Sequence, residues 1–140
     1  MLSELYSSKI REFAERSLPT PQCEPTAETS LENIFCGDRV TIRVSLRDGV
    51  YRDLNGSVDG CLLCRAAMAW LLKNGEGLAP EAAMRLLADV SAFLEGGLAA
   101  VDMPWHELEM FSPLIAHRSR RKCVLLPFKA LAQVGQARQS

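Results

Sequence analysis

Four side chains in this sequence have the type and setting for soft-metal or sulfur chemistry: Cys36, Asp38, Cys61 and Cys123. Cys36-Gly37-Asp38 puts a thiol and a carboxylate on one tight turn, with glycine freeing the backbone so that both can face the same way. Gly60-Cys61 ends a strand-like stretch and opens an apolar helix. A thiol there is favoured as thiolate by unpaired amide hydrogens and by the helix dipole. Cys123 reads as a second case, at a helix start preceded by Arg120, Arg121 and Lys122, whose charges also favour the thiolate. Three thiolates and one carboxylate make four ligands, the number that tetrahedral zinc or a two-iron cluster held on one protein face requires. Oxygen is the weak donor in a sulfur set, so Asp38 points to a site that opens and hands something over.

Other candidates carry less. The Cys61-x-x-Cys64 spacing also suits a redox dithiol or a zinc knuckle, but a thioredoxin-type role wants a parallel-sheet unit before it and a knuckle wants a second such pair. Cys64 reads as a buried thiol one turn into the helix, or as an auxiliary sulfur beside Cys61. Cys23 lies in a proline-rich stretch without a motif and reads as a small buried hydrophobe. The two histidines, His106 and His117, read as surface or loop residues, although His117 is close enough to Cys123 in sequence to reach it. Arg120 and Lys122 are auxiliary candidates beside Cys123; a basic run of this kind is more commonly a solvated loop. No Ser-His-Asp order, Walker loop or dinucleotide glycine pattern occurs, which sets hydrolase and nucleotide-binding readings aside.

Positioning these residues falls to a chain of 140 residues, 48% apolar and 24% charged, the composition of one globular domain over residues 1–140. A formal charge of -1 offers no electrostatic case for nucleic acid. No apolar run reaches the roughly 18 residues needed to cross a bilayer, and Met1 to Arg16 lacks the apolar region of a signal peptide, so no membrane role is expected. Five cysteines without a secretory signal suit a reducing compartment, and the expected location is the cytoplasm.

Leu2, Leu5, Tyr6, Ile10 and Phe13 recur at helical spacing over Ser3 to Arg16. Pro19, Pro21 and Pro25 then predict an irregular connector from Ser17 to Ser30, so that residues 1–30 form a helix and a linker. Val40, Ile42, Val44 and Leu46 alternate with polar residues as in a half-buried strand, Asp48-Gly49 signals a tight turn, and Val50 to Asn55 returns as its antiparallel partner. Leu31 to Phe35 predicts a third strand. Helices follow over Cys61 to Lys73 and Pro80 to Leu94, with a short one broken at Pro113 between Pro104 and Ala116. The last helix is expected from Cys123 to Val134, because Pro127 is tolerated only in a first turn, with residues 135–140 a frayed tail after Gly135. The fold class is α+β, a small antiparallel sheet packed on helices with the site at one end.

With these residues in place, the chain resembles the U-type iron–sulfur cluster assembly scaffolds, the IscU, SufU and NifU N-terminal family. Asn33-Ile34-Phe35-Cys36-Gly37-Asp38 resembles that family's N-P-x-C-G-D. Asp48-Gly49 with the strand into Gly60-Cys61 resembles its second cysteine motif, and Arg120-Arg121-Lys122-Cys123-Val124-Leu125-Leu126 before Phe128-Lys129-Ala130-Leu131 its third. Lys122 in place of histidine and the length of Glu95 to Ser119 look more like the SufU branch. The chain departs from the pattern at Ile34, Gly56, Val58, Cys64 and Ala67, the last two standing where serines are usual. The resemblance implies zinc held by Cys36, Asp38, Cys61 and Cys123, with Cys123 accepting persulfide sulfur from a cysteine desulfurase. The alternatives are a scaffold that builds a [2Fe-2S] cluster on the same four residues and passes it to recipient apo-proteins or other assembly factors, and a non-catalytic interaction module with merely buried cysteines.

Overall fold

The computed structural model describes residues 7–97 and 105–139. Alternation in the sequence becomes a sheet of three antiparallel strands in the order β1 (Ala27–Asn33), β2 (Asp38–Arg47) and β3 (Val50–Asp59). Val40, Ile42 and Val44 turn one face of β2 fully into the core. Asp48 and Gly49 join β2 to β3 with φ values of 55° and 77°, the left-handed pair that matches the twist of a two-residue hairpin. On the other edge, β1 brings Leu31 opposite Val40 and Asn33 opposite Asp38.

β1 begins earlier than the expected Leu31–Phe35 segment and stops before Ile34, so the connector is shorter than its prolines suggest. That connector is tied down. The backbone N–H groups of Gln22 and Cys23 donate to the Asp53 carboxylate at 3.0 Å and 3.1 Å, and the Cys23 thiol donates to it at 3.3 Å. Cys23 is therefore exposed and hydrogen-bonded, not a buried hydrophobe. Asp53 has a φ of 51° where the β2–β3 register shifts between Arg43 and Ser45. Such a bulge frees backbone donors, and Glu76 accepts them from Asp53 at 3.0 Å and from Leu54 at 2.8 Å.

Helix α1 (Ser8–Ala14) starts on Ser7, whose hydroxyl accepts the Ile10 N–H, and buries Ile10 and Phe13 completely. Leu2, Leu5 and Tyr6, expected on the same stripe, lie outside the described residues. Helix α2 (Leu62–Asn74) is buried on nearly all sides from Leu63 to Leu72, as its unbroken apolar run requires. Helix α3 (Pro80–Leu94) opens on Pro80, and a 3-10 segment over His106–Ala116 absorbs Pro113. Among the described residues no helix is long and apolar enough to cross a membrane.

Helix α4 (Arg118–Gln139) departs from expectation at both ends. It begins at Arg118, so the basic run forms its first turns and Pro127 lies buried in its interior. It then continues through Gly135, which is a packing residue and not a terminator. A Cβ there would collide with the Tyr51 hydroxyl and come within 2.9 Å of Pro80. Tyr51 itself donates to the Leu131 carbonyl at 2.9 Å, and burial, with a smaller push from Glu81, raises its pKa to about 12. Gly135→Ala is expected to destabilise the fold by about 1–3 kcal/mol through overpacking, read by denaturant unfolding; an unchanged midpoint would remove this account.

Candidate metal centre

Asp38 starts β2 directly after the turn in which the Cys36 and Gly37 N–H groups donate to the Asn33 carbonyl. Its side chain is only 1% exposed. One carboxylate oxygen accepts the Cys61 N–H at 2.9 Å, and the other accepts from the Cys61 thiol at 3.6 Å. Asp38 thus fastens the beginning of β2 to the beginning of α2. Gly60 makes that possible, since a Cβ there would lie 2.7 Å from the nearer Asp38 oxygen.

Cys61 occupies the N-cap of α2 without a side-chain cap bond of its own. The donor groups around its sulfur are instead the Cys123 thiol and the Cys64 and Leu63 N–H groups. These donors, the Cys123 thiol foremost, hold the Cys61 pKa down to about 7 against burial and the Asp38 charge. Cys123 shows the opposite behaviour. Donation to Cys61, burial and the nearby Asp38 all push its thiol up. The sequence reading of Cys123 as a helix-start thiolate is corrected here: α4 starts at Arg118, leaving Cys123 beyond the first turn and 3% exposed. Pro127, four residues on, has no N–H to donate to the Cys123 carbonyl, so the helix ladder is interrupted at this residue.

The Cys36 sulfur stands 4.0 Å from that of Cys123, and the donor atoms of Cys36, Asp38 and Cys123 all lie within 4.8 Å of one another. Cys61 is outside this mutual triple, although its sulfur lies 3.6 Å from an Asp38 oxygen. The donor set fits a soft divalent cation. A buried carboxylate beside several thiols is costly without a positive partner, and among the described residues no lysine or arginine pairs with Asp38. Cys36 is exposed, so the group opens to solvent on its side.

That opening is a cleft of about 800 Å³ between the Cys36 turn and the start of α4, bordered by Phe35, Arg118, Arg120 and Lys122. The Lys122 ammonium lies 5.5 Å from the centre of the Phe35 ring. Arg121 points elsewhere, donating to the Leu114 carbonyl at 3.1 Å and to that of Ile115, which closes the 3-10 segment. Cys64 is wholly buried, and neither histidine joins the donor group. Ile34 and Phe35, missed as functional candidates, are 79% and 85% exposed beside the cleft. The signal was an apolar pair directly before the Cys-Gly-Asp turn, masked by the expectation that a strand ran through it.

In metal-free protein the first thiol of the donor group to react should be Cys61 or the exposed Cys36. Alkylation of Cys61 is expected to rise as pH passes upward through about 7, where its thiolate forms, while Cys123 stays protected. Peptide mass mapping after timed alkylation reads this; Cys123 titrating ahead of Cys61 would contradict the arrangement.

No family model matches this chain. Two curated proteins do, both described as iron-sulfur cluster assembly scaffold protein IscU. That of Thermotoga maritima is 25% identical over 136 residues, covering 92% of this chain and 91% of the relative. That of Streptococcus pyogenes serotype M1 is 22% identical over 132 residues, covering 94% and 83%. Among solved structures, a nitrogen-fixing NifU-like protein (N-terminal) from Brucella abortus superposes with a TM-score of 0.90 at 24% identity, over 99% of this chain and 96% of the other. A putative scaffold for the SUF system from Fervidobacterium islandicum AW-1 gives 0.84 at 19%, over 94% and 97%, a likeness of fold. Along nearly its whole length the chain is therefore similar in sequence to two scaffold proteins described as IscU, and it shares its α+β fold with a NifU-like N-terminal domain and a SUF-system scaffold.

Proposed function

We propose that this chain serves iron–sulfur cluster assembly as a sulfur acceptor, with Cys36, Asp38, Cys61 and Cys123 holding zinc at rest and Cys123 taking persulfide sulfur from a cysteine desulfurase. The observation that carries the reading is the convergence of Cys36, Cys61 and Cys123 on a buried carboxylate that has no cationic partner among the described residues. Bound zinc would keep the thiolates deprotonated and shielded from oxidation. The chain's own residues do the rest. Asp38 locks the Cys61 backbone in place and supplies the weakest donor, so the set can open at its oxygen. The Cys123 sulfur attacks the outer sulfur of the desulfurase persulfide, forming Cys123–S–SH as the desulfurase cysteine leaves as its thiol. Arg118, Arg120 and Lys122 line the approach and favour the anionic persulfide. The SufU-like features at Lys122 and at Glu95 to Ser119 agree with a sulfur-accepting role.

The second reading treats a [2Fe-2S] cluster as cargo, assembled on the same four residues and handed to apo-proteins; its support is the scaffold description that both curated relatives bear. A module whose cysteines are merely buried is disfavoured by the exposure of Cys36 and the half-exposure of Cys61. Metal and acid-labile sulfide in protein purified without oxygen separate these. About one zinc per chain without sulfide, and persulfide on Cys123 after incubation with a desulfurase and cysteine, support the acceptor. Iron with matching sulfide moves the assignment to the scaffold, and no metal with no sulfur uptake removes both.

A further inference from the structure

Cys64 is left without a task by the donor group, yet it sits where chemistry is possible. It is fully buried in the first turn of α2, three residues after Cys61 at the N-cap. Cys61 at the N-cap and Cys64 in the first turn thus belong to one helix start. Side chains three apart on a helix are neighbours, about 5–6 Å apart at Cβ, and a Cys-x-x-Cys pair at a helix start is a spacing that closes to a disulfide.

We infer that Cys61 and Cys64 form an internal dithiol that reduces the accepted sulfane sulfur to sulfide, an activity that rests on the persulfide reading above. The Cys61 sulfur, which shares the Asp38 carboxylate with Cys123, attacks the outer sulfur of the Cys123 persulfide. This yields Cys61–S–SH and returns Cys123 to its thiol. Cys64 then attacks the inner sulfur of that persulfide, and its proton leaves with the outer sulfur. The products are a Cys61–Cys64 disulfide and hydrogen sulfide. The sulfane sulfur gains two electrons, the two thiols lose them, and an external thiol must reduce the disulfide before another cycle. Cys36 and Cys123, 4.0 Å apart, are the competing pair. Their disulfide would consume two donors of the mutual triple, whereas the pairing through Cys64 leaves Cys36, Asp38 and Cys123 free beside the point where sulfide emerges.

The test uses the full chain, reduced and chelator-treated, loaded without oxygen with one equivalent of glutathione persulfide and at once freed of small molecules. Wild type is expected to release about one sulfide per loaded chain and to yield a peptide ending at Arg65 that is lighter by two hydrogens, the internal disulfide. Cys64→Ser and Cys64→Ala, the second suited to an apolar surround, should fold, take up the sulfur and keep it, with release at least about tenfold slower. Persulfide that persists on wild type overturns the inference alone, as does a Cys36–Cys123 disulfide with both variants releasing normally. Absence of sulfur uptake by wild type overturns the acceptor reading and this inference with it.

Discussion

Cys61→Ala is expected to lower zinc affinity about a hundredfold while leaving the fold intact. Structural zinc sites bind with roughly 10–16 kcal/mol shared among four donors, so losing one costs on the order of 3 kcal/mol, and each 1.4 kcal/mol is tenfold. The fold should survive because Cys61 is half-buried, sits at a helix N-cap and makes no side-chain cap bond there. Its backbone N–H, which Asp38 binds, is retained in the variant. In the same protein the Cys123 thiol loses a neighbour that raises its pKa, so its persulfide chemistry should be altered as well. Competition with a chelating dye gives the affinity, and unfolding gives the stability. Wild-type affinity in the variant would mean that the triple of Cys36, Asp38 and Cys123 suffices, with Cys61 only a neighbour.

Asp38 is the second position where a large effect is expected, and two substitutions separate its roles. Asp38→Cys replaces the oxygen with a fourth soft donor and should slow release of bound zinc to a chelator by at least about tenfold. Asp38→Ala removes the donor and leaves the Cys61 N–H without its acceptor, so affinity should fall and metal-free stability should change by about 1–3 kcal/mol. The sign of that change in stability is informative. Loss of a buried carboxylate with no cation partner among the described residues relieves the metal-free chain, while loss of the link from β2 to α2 weakens it. Equal release rates in wild type and Asp38→Cys would show that the carboxylate does not set the lability of the site.

The sequence by itself determined much of the fold, because its signals were local. Period-two alternation in β2, the Asp48-Gly49 turn, Pro80 at the start of α3 and the apolar run of α2 each express a preference that the backbone satisfies on its own. The candidate donors were legible for the same reason, since Cys36-Gly37-Asp38 and Gly60-Cys61 combine a reactive side chain with the glycine its neighbourhood needs. Gly60 has a further reason, visible only in three dimensions: the Asp38 carboxylate occupies the space a Cβ would take.

Tertiary structure decided what local pattern could not. Gly135 and Pro127 carry the local marks of helix ends, yet α4 runs through both, because Tyr51 and Pro80 press on the glycine and packing on α2, α3 and the sheet outweighs the break at the proline. The same packing carries Cys123 past the helix start and buries it, so its thiol is raised where a helix-start thiolate was expected. Proton affinity in such a group depends on which sulfur lies against which donor and how far each is from water. Those are distances between residues far apart in the chain, and only the folded arrangement sets them.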